Sequence, residues 1–151
     1  MTSSGERVAA QLGRLLLRST RQHLYRRVTH GITGVDVTTY PVLSGVDRLG
    51  PTTATRLALA IGLDRSATTR YASKLEEAGL IERRADPGDG RATQLTLTAA
   101  GIAAVARMRA ELGVAVGEIL SGWDEAEASA FADALRRFTD QLTGPSDPPE
   151  D

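Results

Sequence analysis

The apolar positions of this chain follow helical stripes over most of its length and alternate over one short stretch. From residue 6 to 30 two stripes run side by side. Val8, Leu12, Leu15 and Leu16 lead into Ser19, His23 and Arg26 on one, and Leu17, Leu24, Val28 and Ile32 make the other. This predicts one helix over 6–30 that meets two partners at once. Gly31 and Gly34 break the pattern. A second helix is expected over about 36–49, capped by Asp36 or Thr39, with Pro41 in its first turn and Val42, Leu43, Val46 and Leu49 inward.

Gly50-Pro51 marks a turn, and Thr52 or Thr53 caps a short helix to about Ala60. After Gly62-Leu63, Asp64 caps a helix over 65–78 whose inward stripe is Ala67, Tyr71, Leu75 and Ala78, and Gly79 ends it as the residue past the C-cap. Strands over about 80–84 and 93–97 flank Asp86-Pro87-Gly88 and Asp89-Gly90, which carry the turn chemistry of a hairpin tip. Thr98 caps a long helix over 99–120, with Ile102, Val105, Ala106, Leu112, Val116, Ile119 and Leu120 on its apolar face. Asp124 and Glu127 start a last helix with Ala128, Phe131, Leu135, Phe138 and Leu142 along its stripe. Trp123 and Phe131 are expected in the core. Residues 143–151 hold three prolines and three acids and are expected to be disordered.

The predicted fold is therefore mainly α with a small β wing: one domain over 1–142, whose residues 35–98 form a winged helix-turn-helix between helical segments 6–34 and 99–142. Helical segments this apolar carry more surface than one subunit covers, which predicts a homodimer.

Composition narrows the chemistry. With no cysteine, neither a disulfide nor a thiolate metal site can form, and two histidines, His23 and His30, are too few for a metal centre. Aromatics are 4% of residues, so Leu, Val, Ile and Ala must build the core. No apolar run approaches the ~18 residues of a membrane span, and the first residues lack the layout of a signal peptide. A cytoplasmic protein is expected. The net charge is −1, but residues 1–110 hold 16 basic against 9 acidic side chains, and residues 111–151 hold 2 against 10. A basic body suits an anionic polymer, although 17 of the 18 basic residues are arginine, as a GC-rich genome alone would favour. No P-loop, G-x-S-x-G elbow or dinucleotide fingerprint occurs, and the adjacent Glu76 and Glu77 diverge by about 100° on a helix; no enzyme is expected.

The second helix of a helix-turn-helix lies in the DNA major groove with its N-terminal residues at the base edges. Here that helix offers Arg65, Ser66, Thr68, Thr69, Arg70, Ser73 and Lys74: short polar groups for close approach, and cations for guanine or phosphate. A solvated helix face is the alternative. The hairpin adds Arg91, just past the tip, where it could enter a narrow minor groove. It also adds Arg84, expected to face DNA in preference to Arg83, and Asp89, expected to orient an arginine by a charge-assisted bond.

Residues 57–101 carry Leu57-Ala58, Leu63-Asp64-Arg65-Ser66, Leu75-Glu76 leading to Gly79-Leu80-Ile81, Arg83-Arg84, Asp86-Pro87, Asp89-Gly90-Arg91 and Leu97-Thr98 followed by Gly101. This combination resembles the MarR family of winged-helix transcription regulators. The resemblance implies a homodimer with intertwined N- and C-terminal helices and a pseudo-palindromic double-stranded operator. Each subunit would place its recognition helix in a major groove and its wing against the adjacent minor groove. It further implies repression relieved by a small aromatic or anionic effector bound between the two regions, with no cofactor. His23, Arg26 and Tyr40 are the candidate effector residues; a buried polar cluster at the dimer interface or a partly solvated face is the alternative for the first two. Thr39 stands where the family often has Gln, and Pro41 and Gly45 also depart from its pattern. A winged helix that binds protein and not DNA is the alternative function.

Overall fold

In a computed structural model, which describes residues 2–144, the chain forms seven helices and one two-stranded sheet among those residues. The order is α1 (Ser4–Leu16), α2 (Arg18–Thr29), α3 (Tyr40–Leu49), α4 (Ala54–Ile61), α5 (Arg65–Glu77), β1 (Ile81–Ala85), β2 (Thr93–Leu97), α6 (Ala99–Leu120) and α7 (Glu125–Thr143). Two compact units result, Met1–Gly113 and Val114–Asp151, and the division falls inside α6, not before it.

The expected single helix over 6–30 is two helices. Leu17 is extended (φ −58°, ψ 138°), and the Thr20 hydroxyl, one turn on, donates to the Arg14 carbonyl at 2.9 Å. A side chain thus takes an acceptor that a continuing helix would have used. A capping box opens α1: the Ser3 hydroxyl accepts from the Glu6 N–H at 3.2 Å, and the Glu6 carboxylate accepts from the Ser3 N–H at 2.6 Å.

Helix α3 begins at Tyr40, four residues later than periodicity suggested, because Asp36 and Thr39 form a reciprocal cap ahead of it. Asp36 Oδ1 accepts from the N–H groups of Thr38 and Thr39 at 2.8 and 2.9 Å, and Thr39 Oγ1 accepts from the Asp36 N–H at 2.9 Å. Burial pushes the Asp36 carboxyl up, but the hydrogen bonds from Thr38 and Thr39 outweigh it and hold the group below its ordinary value.

The core of the first unit joins Val28, Ile32 and Val35 to Val42, Leu43 and Val46 of α3, Leu57 of α4, Leu75 of α5, Leu80, Ile81 and Leu95 of the hairpin region, and Val105 and Met108 of α6. Gly45 is buried because a Cβ there would lie 2.6 Å from Leu57 Cδ1 and 2.8 Å from Ile61 Cγ2. Its cost to helix propensity is the condition for α4 to pack on α3. Gly101 serves α6 in the same way, since its Cβ would fall 1.9 Å from the Leu80 carbonyl oxygen.

In the second unit, Asp124 caps α7 through its carboxylate on the Ala126 N–H at 2.9 Å. Trp123 and Phe131 do not enter a core. Their rings lie 5.3 Å apart, yet they remain 43% and 44% exposed. Of the segment expected to be disordered, Thr143 belongs to α7 and Gly144 is its C-cap; residues 145–151 lie outside the described residues.

Candidate nucleic-acid interface

Local chemistry fixes the helix-turn-helix. Thr53 caps α4, its hydroxyl accepting from the Arg56 N–H at 3.2 Å, and Gly62 ends that helix in the left-handed region at φ 69°. Asp64 then caps α5 through Oδ1 on the Ala67 N–H at 2.7 Å. At the far end, Leu80 N–H donates to the Leu75 carbonyl and Gly79 N–H to the Glu76 carbonyl, both at 2.9 Å, with Gly79 at φ 73°. This is a Schellman closure, with Gly79 as the residue past the C-cap, where the sequence placed it.

The wing pairs β1 with β2 antiparallel, from Ile81 opposite Leu97 to Ala85 opposite Thr93. A third segment joins it unannounced by any local signal. Thr52, one of the two candidate caps, instead exchanges main-chain bonds with Leu95 at 3.2 and 2.7 Å and ties the start of α4 to the sheet. At the tip, Asp86 accepts from the Gly88 N–H and from Gln94 Nε2 at 2.8 and 3.1 Å. Asp89 Oδ1 accepts from the Arg91 main-chain N–H at 3.0 Å. Its expected role is corrected accordingly: Asp89 holds the backbone of the turn, not an arginine side chain.

On α5, Arg65, Ser66, Thr69, Arg70 and Lys74 are exposed on one face. Arg70 and Lys74 flank the Tyr71 ring, with cationic groups 5.1 and 5.9 Å from its centroid. Thr68 is not part of that face. It is 0% exposed, and its hydroxyl donates to the Asp64 carbonyl at 2.9 Å. The reason is periodicity: Thr68 lies seven residues before the buried Leu75, on the same side of the helix. Ser73 also departs from the expected set. Half-buried, it donates to the Thr69 carbonyl and accepts from Arg83 Nη2, both at 3.1 Å, so it faces the wing.

The two arginines of β1 divide. Arg83, opposite buried Leu95, turns toward α5 and pairs with Glu76 as well as Ser73; its side chain is 29% exposed. Arg84 points the other way, pairs with Glu82 and is 66% exposed. Arg91 is exposed at the tip. Strand alternation requires opposite faces for neighbours, but only the position of α5 decides which face is which.

The candidate effector residues separate into two places. His23 and Arg26 line an open cavity of about 810 Å³ between α2 and the first part of α6, together with Arg27, His30, Arg107 and Glu111. Tyr40 stands elsewhere. Its ring meets Tyr25 at 4.5 Å between centroids, and it borders a space of about 50 Å³ with Ser44, Asp47, Met108 and Arg109. Burial, then Tyr25, raises the Tyr40 hydroxyl above its ordinary value. Arg109 pairs with Asp47 there, a contact that 62 residues of separation hid from the sequence. Among the described residues no group of three or more His, Cys, Asp or Glu side chains is placed to hold a metal ion, and no helix is long and apolar enough to cross a membrane.

A capped helix, a glycine turn, a second helix with a polar cationic face and a hairpin packed beside it define a winged helix-turn-helix protein. The comparisons agree and are more specific. The MarR family model matches residues 30–92. An uncharacterized HTH-type transcriptional regulator, YxaD of Bacillus subtilis (strain 168), is 30% identical over 119 residues, covering 78% of this chain and 83% of that protein. The crystal structure of the MarR family transcription regulator SP03579 is 29% identical, with a TM-score of 0.68 and 93% of each chain covered. MarR of E. coli in its apo form, 19% identical, shares the fold with a TM-score of 0.73 over 91% of this chain and 97% of its own. The chain belongs to the MarR family of transcriptional regulators.

Proposed function

We propose that the chain acts as a homodimeric repressor that binds a pseudo-palindromic operator in the cytoplasm and releases it when a small molecule binds. One observation carries the DNA-binding part. The exposed row Arg65, Ser66, Thr69, Arg70 and Lys74 on α5 is cationic and short-chained where it must approach base edges, and exposed Arg84 and Arg91 extend it along the wing. The first residues of α5 read bases, Lys74 meets phosphate, and Arg91 enters the minor groove. Arg83 and Ser73 hold helix and wing together.

Support for the dimer comes from apolar surface that the single chain leaves in water. In α1, Leu15 and Leu16 are 60% and 67% exposed; in the second unit the exposed set includes Ile119, Trp123, Phe131 and Leu142. Apolar surface of this extent marks an association face. Sedimentation at micromolar concentration is expected to show twice the 16.0 kDa of one chain; a 16.0 kDa species would overturn the dimer.

Electrophoretic mobility shift against the gene's own upstream region tests the DNA reading. A specific shift that weakens with added salt is expected. No shift even at low salt would favour a winged helix that binds protein instead.

A further inference from the structure

We propose that Tyr71 is a positioning residue of α5, whose ring holds Arg70 and Lys74 ready for DNA while leaving their charges free. The inner stripe of the helix places it. Thr68 and Leu75, three residues before and four after Tyr71, are both 0% exposed, so Tyr71 starts from the buried side of α5. Half-buried, it packs against the core. From there its ring meets the edge of the cationic face. The Arg70 guanidinium carbon lies 5.1 Å from the ring centroid and the Lys74 ammonium 5.9 Å, both within cation–π reach. Both cations are exposed, so the ring supports them from within and leaves N–H groups for bases or phosphate. The ring does most of this holding. Arg70 Nη2 reaches the Tyr71 hydroxyl only at 3.5 Å, the outer limit of a hydrogen bond.

The kind of support matters. Arg83 and Arg84 are ordered by carboxylates, Glu76 and Glu82, which offset the charge they hold. A ring carries no net charge. Its quadrupole attracts and restrains a cation, and the full positive charge remains for a phosphate or a guanine edge. Arginine and lysine lose much rotamer freedom when fixed, so a contact that orders them before DNA arrives lowers the cost of binding. The two cations do not depend on the ring equally. Burial pushes the Asp36 carboxyl up, and after the hydrogen bonds from Thr38 and Thr39 the charge of Lys74 also lowers it. The same attraction acts on Lys74, which leaves Arg70 the more dependent on Tyr71. This role rests on the DNA-binding reading above.

Fluorescence anisotropy titration of the gene's own upstream region with the full chain and its variants tests it. Tyr71→Leu keeps apolar packing but removes the ring, and is expected to weaken binding about fivefold, the scale of two exposed cation–π contacts. The slope of log affinity against log salt is expected to stay as in the wild type, since no cation is lost. Tyr71→Phe restores the ring and is expected to restore the affinity. On an Arg70→Ala background, Tyr71→Leu is expected to cost much less, because part of what the ring holds is gone. Loosening of the fold would cost the same on either background. In the free protein, proton NMR is expected to show Arg70 and Lys74 side-chain methylenes moved upfield by the ring current, an effect absent in Tyr71→Leu. Unchanged affinity in Tyr71→Leu, equal losses in the Phe and Leu variants, losses additive with Arg70→Ala, or methylene shifts indifferent to Tyr71→Leu would each overturn the proposal. A wild type that binds while Tyr71 proves indifferent leaves the DNA reading standing; a wild type that does not bind removes that reading and this role with it.

Discussion

Single residues carry more than one kind of work in this chain, and their neighbours reveal which. The wing aspartates Asp86 and Asp89 accept main-chain N–H groups of the hairpin tip, so they shape the turn that carries Arg91 and do not stand there as free charges. Arg91→Ala is expected to weaken operator binding by about 1–3 kcal/mol, the scale of one specific contact; an unchanged affinity in a fluorescence titration would remove Arg91 from the interface. Asp36 is a cap, and Asp36→Ala is expected to cost about 1 kcal/mol at neutral pH. Because the folded carboxyl lies below its ordinary value, this contribution is fully present above the unfolded-state value and is lost as pH falls through the lower folded one. Urea titrations should therefore show the gap between wild type and variant closing in acid and not in base.

Gly101 shows how a position legible as a motif acquires a physical cause. In an exposed helix, Gly→Ala gains about 1 kcal/mol. Here the added methyl would meet the Leu80 carbonyl, so Gly101→Ala is expected to lose about 1–3 kcal/mol and lower the melting temperature. A raised melting temperature would show that α6 and the segment just before β1 can separate at no cost.

At the scale of elements, the helix-turn-helix follows from caps and glycines, but its working geometry depends on a clamp between helix and wing. Arg83 reaches from β1 to Glu76 and Ser73 of α5, while Thr52 secures the start of α4 to Leu95. Arg83 thus positions the face of α5 proposed to meet DNA. Arg83→Ala is expected to weaken operator binding several-fold while leaving the slope of log affinity against log salt unchanged, since no phosphate contact is lost. Glu76→Ala added to it should produce little further loss, because both substitutions break the same pair. A shallower salt slope, or two additive losses, would mean that Arg83 touches DNA itself.

For the whole molecule, the division between what is covered and what is not distinguishes the two stripes first seen over residues 6–30. Leu24, Val28 and Ile32 enter or pack against the core, whereas Leu15 and Leu16 stay in water, as does Leu17, which shares the stripe of Leu24 but sits at the break between α1 and α2. The uncovered stripe, with the apolar side chains of the second unit, is the reason to expect a second copy. By itself the sequence determined the caps at Asp64 and Asp124, the closure at Gly79, the hairpin tip and the family, because each depends on partners a few residues away or on a contiguous motif. The break at Leu17, the burial of Thr68, the turning of Arg83 toward Glu76, the bridge from Thr52 and the meeting of Arg26 with Arg107 around one cavity were decided only by tertiary structure. These depend on which faces of separate elements come together, and spacing along one element fixes its own periodicity but not the direction from which its neighbour arrives.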